Sequence, residues 1–406
     1  MGLVGDQRGD LLISATRTAR SSSAWPFVLA AFVLSRLLFL GVGAVAAALL
    51  PWARPLSAVP APPGFLNYWA HWDGAWYSEI ATEGYGAHAP ASTVFFPLYP
   101  MIVRVGTSLG GGPAFWGVLT SLVACVFALY FLYRIAEKLQ GKKAARAAVL
   151  AFAFFPMAFF LNAVYTEALF VAFTAGSFWA AYVRRDLLLA GVLGALAAAT
   201  RNLGVLLLIP LAYEWLRNRQ EFGWRGMWEI GIVPAGLVGY MAFLWSRFGD
   251  PLIFYHQQDA YWHRGLTDPV TTLEMAWART GEGPRFLLDP ATLFLDPAPA
   301  PAVEAYNTVS LAFLVLLVVL VGVGFALLPP GLSVYTFLLT LPPILTPFPW
   351  VPLMSLPRFM LGAFPLFLIL GYLLSRSRPA LYLWLLISGG LGMAFTALFV
   401  TWRFMI

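Results

Sequence analysis

The sequence predicts an all-α polytopic membrane protein, one domain over residues 1–406, with about eleven transmembrane helices and amphipathic helices in its first outer loop. Three observations predict it. Of the 406 residues, 60% are hydrophobic and 11% charged, whereas a soluble domain carries roughly 25% charge. Apolar stretches long enough for helices to cross a ~30 Å hydrocarbon layer recur along the whole chain. The basic residues gather at alternate ends of these stretches, as topology requires. The formal charge of +6 therefore gives no reason to expect nucleic acid as a partner.

Taken in order, residues 1–23 are polar and basic (Arg8, Arg17, Arg20), and the apolar run 25–50 follows. That run is too long for a signal-peptide core and reads as a retained first span. Further spans are expected near 112–134, 147–162, 164–183, 187–200, 203–216, 227–247, 308–328, 332–346, 358–374 and 380–402. Two long polar gaps interrupt them, 51–93 and 249–306. The segment 94–111, "VFFPLYPMIVRVGTSLGG", is apolar but broken by Pro97 and Pro100, so it reads as re-entrant or interfacial and extends the first outer loop to 51–111. Arg134, Arg146, Arg184, Arg185, Arg217, Arg219, Arg225, Arg376, Arg378 and all the lysines fall on the side of the amino terminus, which is expected to be cytoplasmic. Both long gaps, 51–111 and 249–306, then lie on the outer face with all four histidines: His71, His88, His256 and His263. The single cysteine, Cys125, lies in an apolar run and excludes a disulfide framework or a cysteine-based metal site.

The first gap holds an acid among tryptophans, "HWDGAWYSEIA" at 71–81. If 66–83 is one helix, about 100° per residue places Trp69, Trp72, Trp76, Tyr77 and Ile80 in a single apolar stripe. Asp73 falls inside that stripe. A carboxylate so placed needs a partner or a task. It either pairs with a nearby arginine to hold the loop down, or serves as a general base for a lipid-borne reactant. Glu79 and Glu83 are the alternative bases, and Gly84 should end the helix.

Three further charges sit in apolar surroundings. Glu167 opens a span. Arg201, followed by Asn202, splits a long apolar run, and a tight helical turn at the outer surface is the least costly place for it. Arg358 stands at the outer mouth of a span, where its guanidinium could hold a phosphate. Glu167 and Arg201 could equally form a structural salt bridge. Arg36, inside the first span, is expected to snorkel or pair locally. The second gap carries "RFGDPLIFYHQQDAYWHRG", with His256, Gln257, Trp262, His263 and Arg264 as candidates for sugar stacking, hydrogen bonding and anion binding. The spacing of His256, Asp259 and His263 matches no strong metal signature, and no metal or cofactor is expected. No Walker A or Rossmann glycine fingerprint is present. A lipid-linked donor fits an outer-face site better than a soluble nucleotide sugar.

The segments "WDGAWYSEIATEGY", "FFPLYP", "FFPMAFFLNAVYTEALF", "TRNLG", "FGDPLIFYHQQDAYWHR" and "LPRFMLGAFPLF", in this order, resemble the PIG-V family. Its members include the second mannosyltransferase of GPI-anchor assembly and prokaryotic relatives, within the GT-C glycosyltransferases. The resemblance implies a GT-C-type fold and mannose taken from a polyprenyl-phosphate-mannose donor on the non-cytoplasmic face. It implies Asp73, matching the family's first-loop acid, as the catalytic residue, with Glu167, Arg201 and Arg358 at the other polar motif positions. The expected reaction is an inverting transfer to a glycan or glycolipid acceptor, with Asp73 as base and membrane lipid as surroundings. A GT-C enzyme using another polyprenyl-phosphate sugar, or a lipid or solute transporter, are the alternatives. Arginine rather than lysine in an Ala- and Gly-rich chain reads as bacterial, hence a plasma-membrane location.

Overall fold

The computed structural model describes residues 23–53, 64–86, 90–296 and 299–403. Arg8, Arg17, Arg20 and His88 lie outside the described residues. Those described build an all-helical protein, with a lone antiparallel bridge between Phe348 and Val351. Among the described residues, four helices are long and apolar enough to cross a membrane: Trp25–Leu49, Pro113–Gln140, Pro299–Leu327 and Arg378–Val400. The arms Leu356–Gly362 and Pro365–Leu374 make a fifth candidate, bent by 84°. The chain is an integral membrane protein. The first helix shows the pattern: Leu34, Leu37 and Val45 are exposed on its outer face, while Val28, Ala31 and Phe39 are buried. Outward apolar residues suit a lipid solvent, and small residues inside let helices approach.

The remaining expected spans are helical but punctuated, and proline explains most breaks. The stretch 147–162 is a helix Lys142–Ala153 followed by an irregular turn at Pro156 and a short 3₁₀ turn, Ala158–Leu161. The next helix therefore starts only at Glu167 and runs to Trp179. The stretch 227–247 is interrupted before the Ala235–Phe248 helix, whose preceding residue is Pro234. The stretch 332–346 divides before Pro342, and 358–374 bends before Pro365. The expected break at Arg201 is present: the helix Leu187–Thr200 ends there in an extended residue, and a 3₁₀ turn, Asn202–Leu207, follows. The second gap is shorter than expected, because the Pro299–Leu327 helix begins inside it, and the gap carries four short helices between Ile253 and Leu295.

The expected single helix over 66–83 is two pieces. A 3₁₀ turn, Phe65–Ala70, and an α-helix, Asp73–Glu83, meet at Trp72, which has φ +55°. In a continuous helix the Trp69 carbonyl would accept from the Asp73 amide. It accepts instead from Val164 N at 2.8 Å. His71 and Gly74, on either side of the break, are both buried. A side chain at Gly74 would meet the Val164 carbonyl at 3.3 Å.

Arg36 does not snorkel. It is 3% exposed and donates to the carbonyls of Ala158 (2.7 Å) and Ala153 (3.0 Å) and to Asn162 Oδ1 (2.9 Å). It thereby caps the end of the Lys142–Ala153 helix and ties down the turn that leads to Glu167. Arg36→Met leaves these buried acceptors without a donor, and should lower stability by on the order of 3 kcal/mol, read as thermal unfolding of the detergent-solubilised protein.

Candidate active site

Four charges from four distant segments meet in a line. Arg358 Nη1 donates to Asp73 Oδ2 at 2.7 Å, and Arg358 Nε lies 3.4 Å from Glu167 Oε1. Arg201 Nη2 donates to the same Glu167 oxygen at 2.6 Å. The signs alternate, so the line is formally neutral. Exposure falls from 24% at the Asp73 side chain to 0% at Glu167. Local structure supports three of the four positions. Asp73 and Glu167 are each the first residue of a helix, where the partial positive charge of the free amides favours a carboxylate. Arg201 closes the Leu187–Thr200 helix, where the carbonyl end favours a cation. Arg358 lies in the first turn of its helix, against the dipole, and is held by two carboxylates and by the faces of Phe160 and Tyr165 (5.5 and 5.3 Å).

The backbone around these charges is unusual. Five non-glycine residues among those described have positive φ: Trp72, Arg185, His263, Ser355 and Trp402. Trp72 immediately precedes Asp73, His263 immediately precedes Arg264, and Ser355 lies three residues before Arg358. A left-handed conformation in such residues costs of order 1–3 kcal/mol and persists only where the surroundings enforce it.

The charges border a cavity of about 150 Å³. Asp73, Arg201, Asn202, Trp262, Arg264 and Arg358 line it, as do Tyr77, Gln258, Ser355 and Phe359. A larger hollow, about 810 Å³ around the 216–224 turn, lies beside one surface loop and gathers none of the candidate residues. Arg264 reaches the cavity from the second gap. Its Nε and Nη2 donate to the carbonyls of Thr346 (3.3 Å) and Met354 (3.4 Å). Burial, reinforced by the neighbouring Arg358 charge and opposed by Asp73, brings its guanidinium down to about 10, still a cation at neutral pH. Trp262 stands edge-on to Trp76 and Phe95, and its Nε1 donates to the Ala91 carbonyl at 3.3 Å. The Tyr77 hydroxyl lies 3.4 Å from Thr166 Oγ1, and burial pushes it up to about 12.

Three other sequence candidates sit elsewhere. His256 bonds Asp250 at 2.8 Å on an exposed surface, and neither Gln257 nor His263 lines the cavity. On the helix Ile253–Ala260 it is Gln258, about 100° round from Gln257, that faces in. Tyr77, Ser355 and Phe359 escaped the sequence reading as cavity residues, although each is within four residues of a charge that it found. Among the described residues no group of three or more His, Cys, Asp or Glu is placed to hold a metal ion.

Residues 89–245 match the family model of dolichyl-phosphate-mannose-protein mannosyltransferases. No curated protein matches the chain. A crystal structure of ArnT from Cupriavidus metallidurans bound to undecaprenyl phosphate is similar to it, at 16% identity and a TM-score of 0.47. That similarity covers 90% of this chain and 63% of the ArnT chain, so this chain spans less than two thirds of the other's length. The family match reaches from the 3₁₀ turn before "FFPLYP" through Glu167 and Arg201.

His71, two residues before Asp73, is 1% exposed, and burial lowers its imidazole to about 4 against the ordinary 6.5. Below pH 6.5 the unfolded chain takes up a proton that the folded chain refuses. Stability should therefore fall as pH drops from 6.5 to 4, by at most about 1.4 kcal/mol per unit, and level off below 4. Thermal unfolding across this range should show that slope in the native protein and lose it in His71→Phe.

Proposed function

We propose that the chain is an inverting mannosyltransferase of the GT-C type, in the PIG-V branch. It takes mannose from polyprenyl-phosphate-mannose at the outer face of a bacterial plasma membrane, with its amino terminus in the cytoplasm. The observation that carries this reading is the charge arrangement at the cavity. Asp73, Arg358, Glu167 and Arg201 neutralise one another, and Arg264 remains as a half-buried cation that donates to backbone carbonyls. An anionic phosphodiester that enters beside Asp73 meets a net positive charge at Arg264.

The chemistry follows from the same arrangement. Arg358 bonds one oxygen of Asp73, and a quarter of that side chain remains exposed, which leaves room for an acceptor hydroxyl. Asp73 takes the hydroxyl proton as the acceptor oxygen attacks the anomeric carbon. The bond from that carbon to the phosphate oxygen breaks, and polyprenyl phosphate leaves with the electron pair. Attack opposite the leaving group converts a β-linked donor into an α-linked product. Once protonated, Asp73 no longer neutralises Arg358. The arginine's charge is then released toward the phosphate just as the leaving group gains its second negative charge. Arginines meet that demand, and no metal is needed.

The carrier's tail has a matching surface. An apolar hollow of about 560 Å³ is lined by Val105, Trp116, Phe127, Leu169, Phe173 and Leu193, among others. Leu169 and Phe173 belong to the helix that Glu167 opens, and Leu193 to the helix that Arg201 closes. Breaks at Pro156, Pro234 and Pro342 fit a reading in which shorter helices pair into the remainder of about eleven spans. The choice of mannose rests on the motif resemblance and on the family matched. The acceptor is a glycan or glycolipid hydroxyl.

Purified protein in lipid, with EDTA present, should turn over synthetic polyprenyl-phosphate-mannose and prefer it in competition with other polyprenyl-phosphate sugars. Asp73→Asn should lower kcat by a factor of about 100 or more with folding intact; near-wild-type turnover would remove the base assignment. In the same assay Arg264→Gln should raise the donor KM about tenfold or more, with Arg264→Lys intermediate, since a point charge replaces a planar fork.

A further inference from the structure

The residues that close the last helix do something the cavity alone does not explain. Beyond Val400 the chain turns sharply at Trp402, which has φ +62°. The Trp402 ring stacks on His71 at a centroid distance of 4.1 Å and tilts against Trp72 at 5.3 Å. His71 Nδ1 lies 3.3 Å from the Phe399 carbonyl. The Thr401 carbonyl accepts from Ala53 N at 3.0 Å. Arg403, 3% exposed, donates through Nη1 to the Pro51 carbonyl at 2.6 Å and through Nη2 to the Asp296 carbonyl at 3.4 Å. One short segment thus touches the exit of the first span, the turn before Asp73 and the second outer gap.

We propose that residues 398–403 are a strap that holds the Trp72–Asp73 turn in its left-handed form, with Trp402 and Arg403 as positioning residues for the carboxylate. The physical case is that Trp72 does not keep a positive φ unaided. Its helix neighbours cannot enforce the turn, because the hydrogen-bond ladder is broken there. The contacts on the turn include the Tyr165 hydroxyl on the His71 carbonyl at 3.0 Å, Val164 N on the Trp69 carbonyl at 2.8 Å and, on another side, the Trp402 face. Without the ring, the turn is free to relax toward the continuous helix that the sequence favours. That change rotates Asp73 away from Arg358. The effect on turnover rests on the function proposed above; the effect on the turn does not.

The test uses the full chain in lipid nanodiscs and two readouts. In hydrogen–deuterium exchange, the amides of Gly74 and Ala75, bonded to the His71 and Trp72 carbonyls at 3.0 and 2.9 Å, report the turn. Trp402→Ala should speed their exchange about tenfold or more and leave the Pro113–Gln140 helix unchanged. It should lower kcat about tenfold or more with the donor KM within about twofold, and Trp402→Phe should restore both. Should Trp402→Ala not fold, Arg403→Lys carries the same test, since it keeps the charge and loses the fork that spans Pro51 and Asp296. Unchanged exchange at 70–78, or faster exchange throughout the protein, overturns the strap. Local loosening in a protein whose native form turns over no polyprenyl-phosphate sugar supports the strap and overturns the function instead.

Discussion

Glu167 carries no exposed surface, and one of its oxygens receives two arginines, at 2.6 and 3.4 Å. A carboxylate withdrawn from water pays a desolvation cost of several kcal/mol, and attraction offsets it only where geometry is good. The rest of the site is arranged around meeting that condition. Arg201 approaches from a helix end, and Arg358 from the bent arm of a broken pair. Arg358 Nε lies in ion-pair range of Glu167 at 3.4 Å, and its Nη1 donates to Asp73. The acid at the cavity edge is thus held by a guanidinium whose own position was set deeper in the protein. Loss of Glu167 would leave two cations adjacent and nearly buried, and the line of charges would have no anchor.

The backbone irregularities make physical sense on the same view. A regular helix through 66–83 would point Asp73 wherever the period of 3.6 dictates. The break at Trp72 frees the direction of that side chain from the helix before it and makes Asp73 the first residue of the helix after it. Similar left-handed residues precede Arg264 and Arg358. In each case a turn that costs energy locally presents a charge at the start of a segment. Tertiary contacts such as Val164 N on the Trp69 carbonyl supply what the turn lacks.

The electrostatics also separate the arginines by task. Arg201 and Arg358 are neutralised inside the network, and Arg36 is consumed by carbonyls 117 and 122 residues away. Arg264 faces the cavity while Nε and Nη2 donate to backbone oxygen, which occupies two of its donors without cancelling its charge. A site built this way attracts an anion through Arg264 and can release Arg358 once Asp73 takes a proton.

Much of this was legible in the residues themselves. Composition determined the solvent, because transfer free energy adds along the chain and needs no knowledge of neighbours. Gly84 marked a helix end, since its dihedral freedom is local, whereas the breaks at Pro156, Pro234, Pro342 and Pro365 fell inside expected spans. Asp73, Glu167, Arg201 and Arg358 stood out because a charge in an apolar run is costly wherever the run folds. Tertiary structure decided which of them meet. Asp73 and Arg358 are 285 residues apart, and no local preference encodes their contact. It also decided that Gln258 rather than Gln257 faces the cavity, that Trp72 interrupts a helix its sequence would have continued, and that Trp402 covers the turn before Asp73. Each of these depends on through-space packing between segments distant in sequence, where local periodicity carries no information.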